Sequence, residues 1–209
     1  MKVIFYGDSI TVGTYSGAPE GSSGVADPNF AMLLQAHFGW SYVINHAING
    51  VSYSGTSPIR GDISISNRSI ECPECDICFL TAGTNDYGTS VTLGEDDDGA
   101  DVSFCGGVNQ ILQVIRSRAK NVVVVTPIPR GCEGKNKAGY TLQEYRDALA
   151  RLAEKWGAFC IRGEAFLLDP NDEQQKLRYI RDGVHLQPEG HKLYAEYLIQ
   201  EIEKLRLNT

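Results

Sequence analysis

Lys2-Val3-Ile4-Phe5-Tyr6-Gly7-Asp8-Ser9 is a short apolar run that ends on glycine and passes at once into two polar residues. Such a run, with no polar alternation, is the pattern of a strand buried on both faces of a parallel sheet. Tyr42 to Asn45, Asp76 to Ala82, Asn121 to Thr126 and Ala158 to Ile161 repeat it further along the chain. Between these runs lie longer segments with helical spacing. Asp27 and Pro28 predict a helix start, with Phe30, Leu33, Leu34 and Phe38 on the buried side and Gly39 as the stop. Val108, Ile111, Leu112 and Ile115 share the face of a second helix. Thr141-Leu142-Gln143-Glu144 is a capping box that opens a third, running through Tyr145, Leu149, Leu152 and Trp156 to Gly157. A last helix starts near Pro188 and buries Leu193, Tyr197, Leu198 and Ile202. This alternation predicts an α/β fold, a parallel sheet covered by helices on both faces.

With 209 residues and 42% hydrophobic content, the chain supports one sizeable core, and residues 1–209 read as a single domain. A net charge of −7 with no lysine or arginine run excludes the basic footprint of a nucleic-acid binder. Apolar stretches such as Val122 to Val125 are too short to span a membrane, and no signal-like segment precedes Lys2. The expectation is a soluble cytoplasmic protein, or a secreted one if a signal has been removed; oligomeric state is left open.

Cys72, Cys75 and Cys78 recur at three-residue intervals and suggest a metal or redox motif. Cys105, Cys132 and Cys160, however, supply neither a second Cys-x-x-Cys nor a nearby histidine pair. Cys78 also falls inside the apolar run Ile77-Cys78-Phe79-Leu80, where a thiol packs as a small hydrophobe. Structural thiols are therefore expected, with a Cys72 to Cys75 disulfide open if the protein is exported. Two long loops follow strand ends, Gly13 to Val25 and Thr89 to Asp101, and both are candidates for shaping a substrate cleft. The second contains Glu95-Asp96-Asp97-Asp98, which lacks the spaced ligands of an EF-hand and reads as a solvated loop.

The chemistry begins at Gly7-Asp8-Ser9-Ile10, which puts Ser9 at the rim of the sheet, a good position for a nucleophile. A serine hydroxyl needs a base, normally a histidine whose second nitrogen is held by a carboxylate. His37 and His191 fall on helices, where packing or exposure explains them, and His46 just follows a strand. His185 differs: in Asp182-Gly183-Val184-His185 a carboxylate sits three residues upstream, on an irregular segment before Pro188. Donors for a developing oxyanion are available in Ala82-Gly83-Thr84-Asn85-Asp86, through the Asn85 amide, and at Gly50, whose N–H an oxygen can approach closely. Each of these features alone is compatible with ordinary turn chemistry. Their conjunction, each just after a strand or before the last helix, is what carries the reading.

In that conjunction the sequence resembles the SGNH/GDSL hydrolases, block by block and in the family's order. Gly7-Asp8-Ser9-Ile10 is similar to the first block, with Ser9 as nucleophile and its N–H as one oxyanion donor. Asn45-His46-Ala47-Ile48-Asn49-Gly50 resembles the second, with Gly50 as a donor, and Gly83-Thr84-Asn85-Asp86 the third, with Asn85 as another. Asp182-Gly183-Val184-His185 resembles the last, supplying acid and base. The resemblance implies a flavodoxin-like three-layer α/β/α sandwich with a five-stranded parallel sheet, no metal and no organic cofactor. Val51-Ser52-Tyr53-Ser54-Gly55 departs from the family after Gly50, which bears on pocket shape. The activity it implies is hydrolysis of a small acyl ester, acetyl on carbohydrate before others, with a small-molecule or glycan ester as partner. Lysophospholipase or thioesterase action on lipid esters is the runner-up, and an inactive glycan-binding scaffold and a cysteine-dependent metal or redox protein are the readings from other classes.

Overall fold

The computed structural model describes residues 1–17, 23–69 and 71–207. Part of the Gly13 to Val25 loop, residues 18–22, lies outside the described residues. Five strands form one parallel sheet among the described residues: β1 (Lys2–Gly7), β4 (Tyr42–Asn45), β5 (Cys75–Thr81), β6 (Ala119–Val125) and β7 (Phe159–Ile161). Their order, β4-β1-β5-β6-β7, puts the first strand in the interior, with Val3 beside both Val43 and Ile77. That is the doubly wound, flavodoxin-like arrangement, whose order reverses beside β1. A two-residue hairpin, β2 (Thr14–Tyr15) with β3 (Gly24–Val25), stands apart from it.

Because side chains alternate along a strand, the sheet builds two cores. Ile4, Tyr6, Cys78, Leu80, Val122 and Val124 face one way, against α3 (Ile65–Ser69), α5 (Phe104–Ile115) and α6 (Leu142–Lys155). Val3, Phe5, Ile77, Phe79, Val123 and Val125 face the other, against α2 (Phe30–Phe38) and α8 (Pro188–Lys204). Phe5 and Phe79 stack at 4.7 Å on that second face. The strands are therefore apolar at every position because both sides are covered. Short helices α1 (Ser9–Val12), α4 (Thr84–Gly88) and α7 (Glu173–Tyr179) complete the set, and no helix among the described residues is long and apolar enough to cross a membrane.

Local chemistry sets the boundaries. Thr141 and Glu144 form the reciprocal capping box at the head of α6. The α2 start differs from expectation: Asn29, not Asp27 or Pro28, caps the helix by accepting the Met32 N–H at 3.1 Å, and Pro28 lies outside it. In the acidic run Glu95 and Asp97 are exposed, as in a solvated loop, while Arg151 grips Asp96 at 2.7 and 2.9 Å and Asp98 accepts from Ser103, the cap of α5.

Arg146, on α6, is 2% exposed and pins the segment after β6. It donates to the carbonyls of Pro127 and Ile128 at 2.8 Å and to both Glu133 oxygens at 2.7 and 2.8 Å. Removing one partner strands a charge in the core, whereas an exposed pair such as Lys192 with Glu189 contributes little. Glu133→Ala is expected to cost about 2 to 3 kcal/mol in urea unfolding, and Glu189→Ala to leave the unfolding midpoint almost unmoved; equal shifts would refute this role for Arg146.

Candidate active site

The carboxyl ends of β1, β4 and β5 share one edge and are followed by Ser9, Gly50 and Asn85, while Asp182 and His185 lie between α7 and α8. At β1 the chain turns straight into α1. Asp8 caps that helix by accepting the Ile10 N–H at 3.0 Å, and a Cβ at Gly7 would lie 2.2 Å from Thr11 Oγ1, so only glycine lets the turn fold this tightly. Thr11 Oγ1 meets Thr81 Oγ1 at 2.6 Å, fastening the turn to the end of β5. Ser9 is left at the head of α1, 5% exposed.

His185 Nε2 lies 2.8 Å from Ser9 Oγ, and His185 Nδ1 lies 2.7 Å from Asp182 Oδ2. Asp182 Oδ1 accepts the backbone N–H groups of Val184 and His185 at 2.9 and 2.7 Å, and the Ser16 hydroxyl donates to Oδ2. Burial alone would raise the Asp182 carboxyl; the bonds from His185, Ser16 and Val184 outweigh it and hold the group well below the usual carboxylate range. An ionised Asp182 can only accept, so the imidazole proton sits on Nδ1 and Nε2 accepts the Ser9 hydroxyl. The loop carrying this pair turns at Gly183 (φ 77°) and is tied by the Gly131 N–H to the Gly183 carbonyl at 2.8 Å and by Gln187 Nε2 to the Ser16 carbonyl at 2.8 Å.

Gly50 and Asn85 belong to a second linked pair. After β4 the chain keeps following β1, the Ile48 N–H reaching the Gly7 carbonyl at 3.0 Å, and turns at Gly50 (φ 75°). Asn85, in the first turn of α4, donates through Nδ2 to the Val51 carbonyl at 2.8 Å, using one of its two protons. Neither Gly50 nor Asn85 bonds directly to Ser9, His185 or Asp182 among the described residues. What joins their blocks more firmly is a residue to which the sequence reading gave no role. Asp86 is fully buried and accepts the Tyr53 and Ser54 N–H groups at 3.0 and 3.1 Å. Its only signal in the sequence was its place next to Asn85. Ser16 and Arg130, the latter donating to the Thr84 carbonyl at 3.2 Å, carried none.

The remaining histidines are accounted for elsewhere. His191 is buried against Phe30, ring centroids 6.0 Å apart, and burial pushes its pKa down to about 4. His37 pairs with Glu203 at 3.2 Å, and His46 stacks on Tyr6 at 5.3 Å. All six thiols are free, with Cys72, Cys75 and Cys78 buried. Among the described residues, no group of three or more His, Cys, Asp and Glu side chains is arranged to hold a metal ion.

A sequence profile of the GDSL-like lipase/acylhydrolase family matches residues 5–193. No curated protein matches the sequence. Solved structures similar to this one include a Lactobacillus plantarum protein, 20% identical with a TM-score of 0.82, covering 97% of this chain and 96% of its own. A carbohydrate acetylesterase of Sinorhizobium meliloti is 16% identical with a TM-score of 0.69, covering 97% of this chain and 98% of its own. An aryl esterase of M. smegmatis is 15% identical with a TM-score of 0.71, covering 98% and 99%.

Asp8 and Asp86 titrate unusually. Burial raises Asp8 to about 6 and Asp86 to about 7, against the hydrogen bonds each accepts. Both therefore hold a proton more tightly folded than unfolded, so their stabilisation is complete below about pH 4 and is lost as pH rises through 6 to 7. The thermal midpoint is expected to fall from about pH 5 to about pH 8, and to fall less steeply in Asp86→Asn, which has no charge to bury. Equal slopes would show that Asp86 does not titrate in this range.

Proposed function

The chain belongs to the GDSL-like lipase/acylhydrolase family, and from that premise we propose that it is a serine esterase hydrolysing a small acyl ester, acetyl first, carried on a carbohydrate. One observation carries the reading: the continuous hydrogen-bonded line from Ser9 through His185 to Asp182.

Ser9 Oγ attacks the ester carbonyl as its proton passes to His185 Nε2, and Asp182 stabilises the imidazolium that results. The oxyanion is met by the Ser9 N–H, the Gly50 N–H and the second Asn85 amide proton. First-turn helix amides have no intrahelical acceptor, which suits the Ser9 N–H to the task. As the carbonyl re-forms, His185 gives its proton to the departing alcohol and Ser9 is left acylated. Water then loses a proton to His185, attacks the acyl group, and the carboxylic acid leaves as Ser9 recovers its proton. None of these steps calls for a metal or a cofactor.

A short acyl group, acetyl first, is the choice that the carbohydrate acetylesterase of the same fold supports. The acetylesterase and aryl esterase named above have the same fold, and this supports an ester over other acyl substrates.

Ser9→Ala and His185→Ala are each expected to abolish hydrolysis of p-nitrophenyl acetate, and Asn85→Ala to lower kcat by about two to three orders of magnitude; a nearly silent Asn85→Ala would remove that residue from the oxyanion site. A fluorophosphonate should label Ser9 in the folded protein. No adduct would favour an inactive glycan-binding scaffold, and faster turnover of the octanoate than of the acetate would favour a lipid acylhydrolase.

A further inference from the structure

Against α4, on its Tyr87 and Gly88 side, lies a recess of about 410 Å³ lined by Arg130, Lys135 and Lys137 and by no carboxylate. On a chain of net charge −7, three cations around one recess run against the average of the surface. None of the three is engaged in an ion pair among the described residues. The nearest acid in sequence, Glu133, has both oxygens on Arg146 and also accepts the Arg130 backbone N–H at 2.9 Å, so its charge is shared between the two arginines and leaves Lys135 and Lys137 unpaired among the described residues.

The recess adjoins both halves of the candidate machinery. Arg130 Nη1 donates to the Thr84 carbonyl and to Thr84 Oγ1 at 3.2 and 3.3 Å, immediately before Asn85. The next residue, Gly131, holds the Gly183 carbonyl between Asp182 and His185 at 2.8 Å. The lining is also pinned in shape. Arg130 lies over the Tyr87 ring at 5.2 Å, the Tyr87 hydroxyl donates to the Gly134 carbonyl at 2.7 Å, and Asn136 Nδ2 donates to the Tyr87 carbonyl at 3.0 Å. At the rim, Ser90 has a φ of 61°, the one positive value at a non-glycine residue among the described residues, and its hydroxyl accepts the Lys137 N–H at 3.2 Å. Strain of that kind persists where surrounding structure fixes a shape. Arg130 keeps N–H donors beyond those given to Thr84, and the two lysines add mobile charge.

We propose that this recess is a subsite for an anionic group, a carboxylate or a phosphate, on the alcohol half of the ester, so that acetylated acidic sugars are preferred over neutral ones. The inference rests on the esterase reading above. The anion is assigned to the alcohol because the acyl group of the proposed ester, acetyl, carries no charge. Recognition at a partly exposed cationic recess acts on the bound ground state as much as on the transition state, so it appears in KM and weakens with salt.

The test is steady-state hydrolysis of O-acetylated methyl galacturonoside, its neutral primary amide, and acetylated glucose 6-phosphate, with p-nitrophenyl acetate as reference. At low salt, kcat/KM for at least one anionic ester should exceed that for the amide by about tenfold, through KM, and the advantage should shrink at high salt. Whichever anionic arm is faster identifies the group. Lys135→Gln/Lys137→Gln, shown folded by circular dichroism, should bring the anion-to-amide ratio close to one. Equal kcat/KM for anionic and neutral esters in the unsubstituted enzyme, or a ratio unmoved by the double substitution, overturns the subsite while the esterase reading stands. No turnover of any ester, p-nitrophenyl acetate included, overturns that reading and this proposal together.

Discussion

A hydroxyl at residue 9 and an imidazole at residue 185 meet at 2.8 Å across 176 positions of sequence, and the molecule is organised to hold that contact. Closing so long a loop has an entropic cost that one hydrogen bond cannot offset, so the burial of the two cores has to do it. With β1 in the interior of the sheet, its end cannot move without disturbing β4 and β5 on either side. The other end is held by α8, which packs on α2 through Phe30, Tyr194 and His191. Sites hung on rigid elements keep their geometry better than sites built from free loops, and both ends of this one are so hung.

Three carboxylates near the site are treated in opposite ways. Asp182 is kept ionised by its four hydrogen-bond donors, while Asp8 and Asp86 are raised by burial. The difference follows their surroundings: Asp182 faces the His185 imidazole and three further donors, whereas Asp8 and Asp86 serve backbone amides, which a protonated carboxyl can still satisfy in part. Asp86 does so for the Tyr53 to Ser54 segment, the stretch after Gly50 in which the sequence departs from its family. A loop of unusual sequence is thus fastened by a residue that is itself part of a family block.

The sheet was legible because both-face burial leaves an unbroken apolar signature: each of the five runs became a strand, with ends displaced by a residue or two at Cys75, Ala119 and Phe159. Helix α6 was legible through Thr141 and Glu144, whose side chains answer each other locally. Helix α7 was not, since none of its residues is buried and it has no apolar stripe to betray it. The start of α2 went to Asn29 because a side-chain acceptor for Met32 counts for more than a proline in the preceding turn. Within the site, Ser9, Gly50 and Asn85 announce themselves by residue type after strand ends, and Asp182 and His185 by their spacing before Pro188. Arg130, Ser16 and Asp86 do not, because their roles come from partners distant in sequence: Thr84, Asp182 and Tyr53.

The interior position of β1 has a consequence for how the protein is born. Ser9 is translated 176 residues before His185, an interval of roughly 10 to 35 s at ordinary ribosome speeds. During the first part of it β1, an interior strand, waits for β5 to be synthesised, and Phe30 and Leu34 on α2 wait longer still for α8. A nascent or prematurely terminated chain therefore carries an inert hydroxyl and an uncovered greasy face, which marks it for chaperones and proteases before it has any chemistry to misapply.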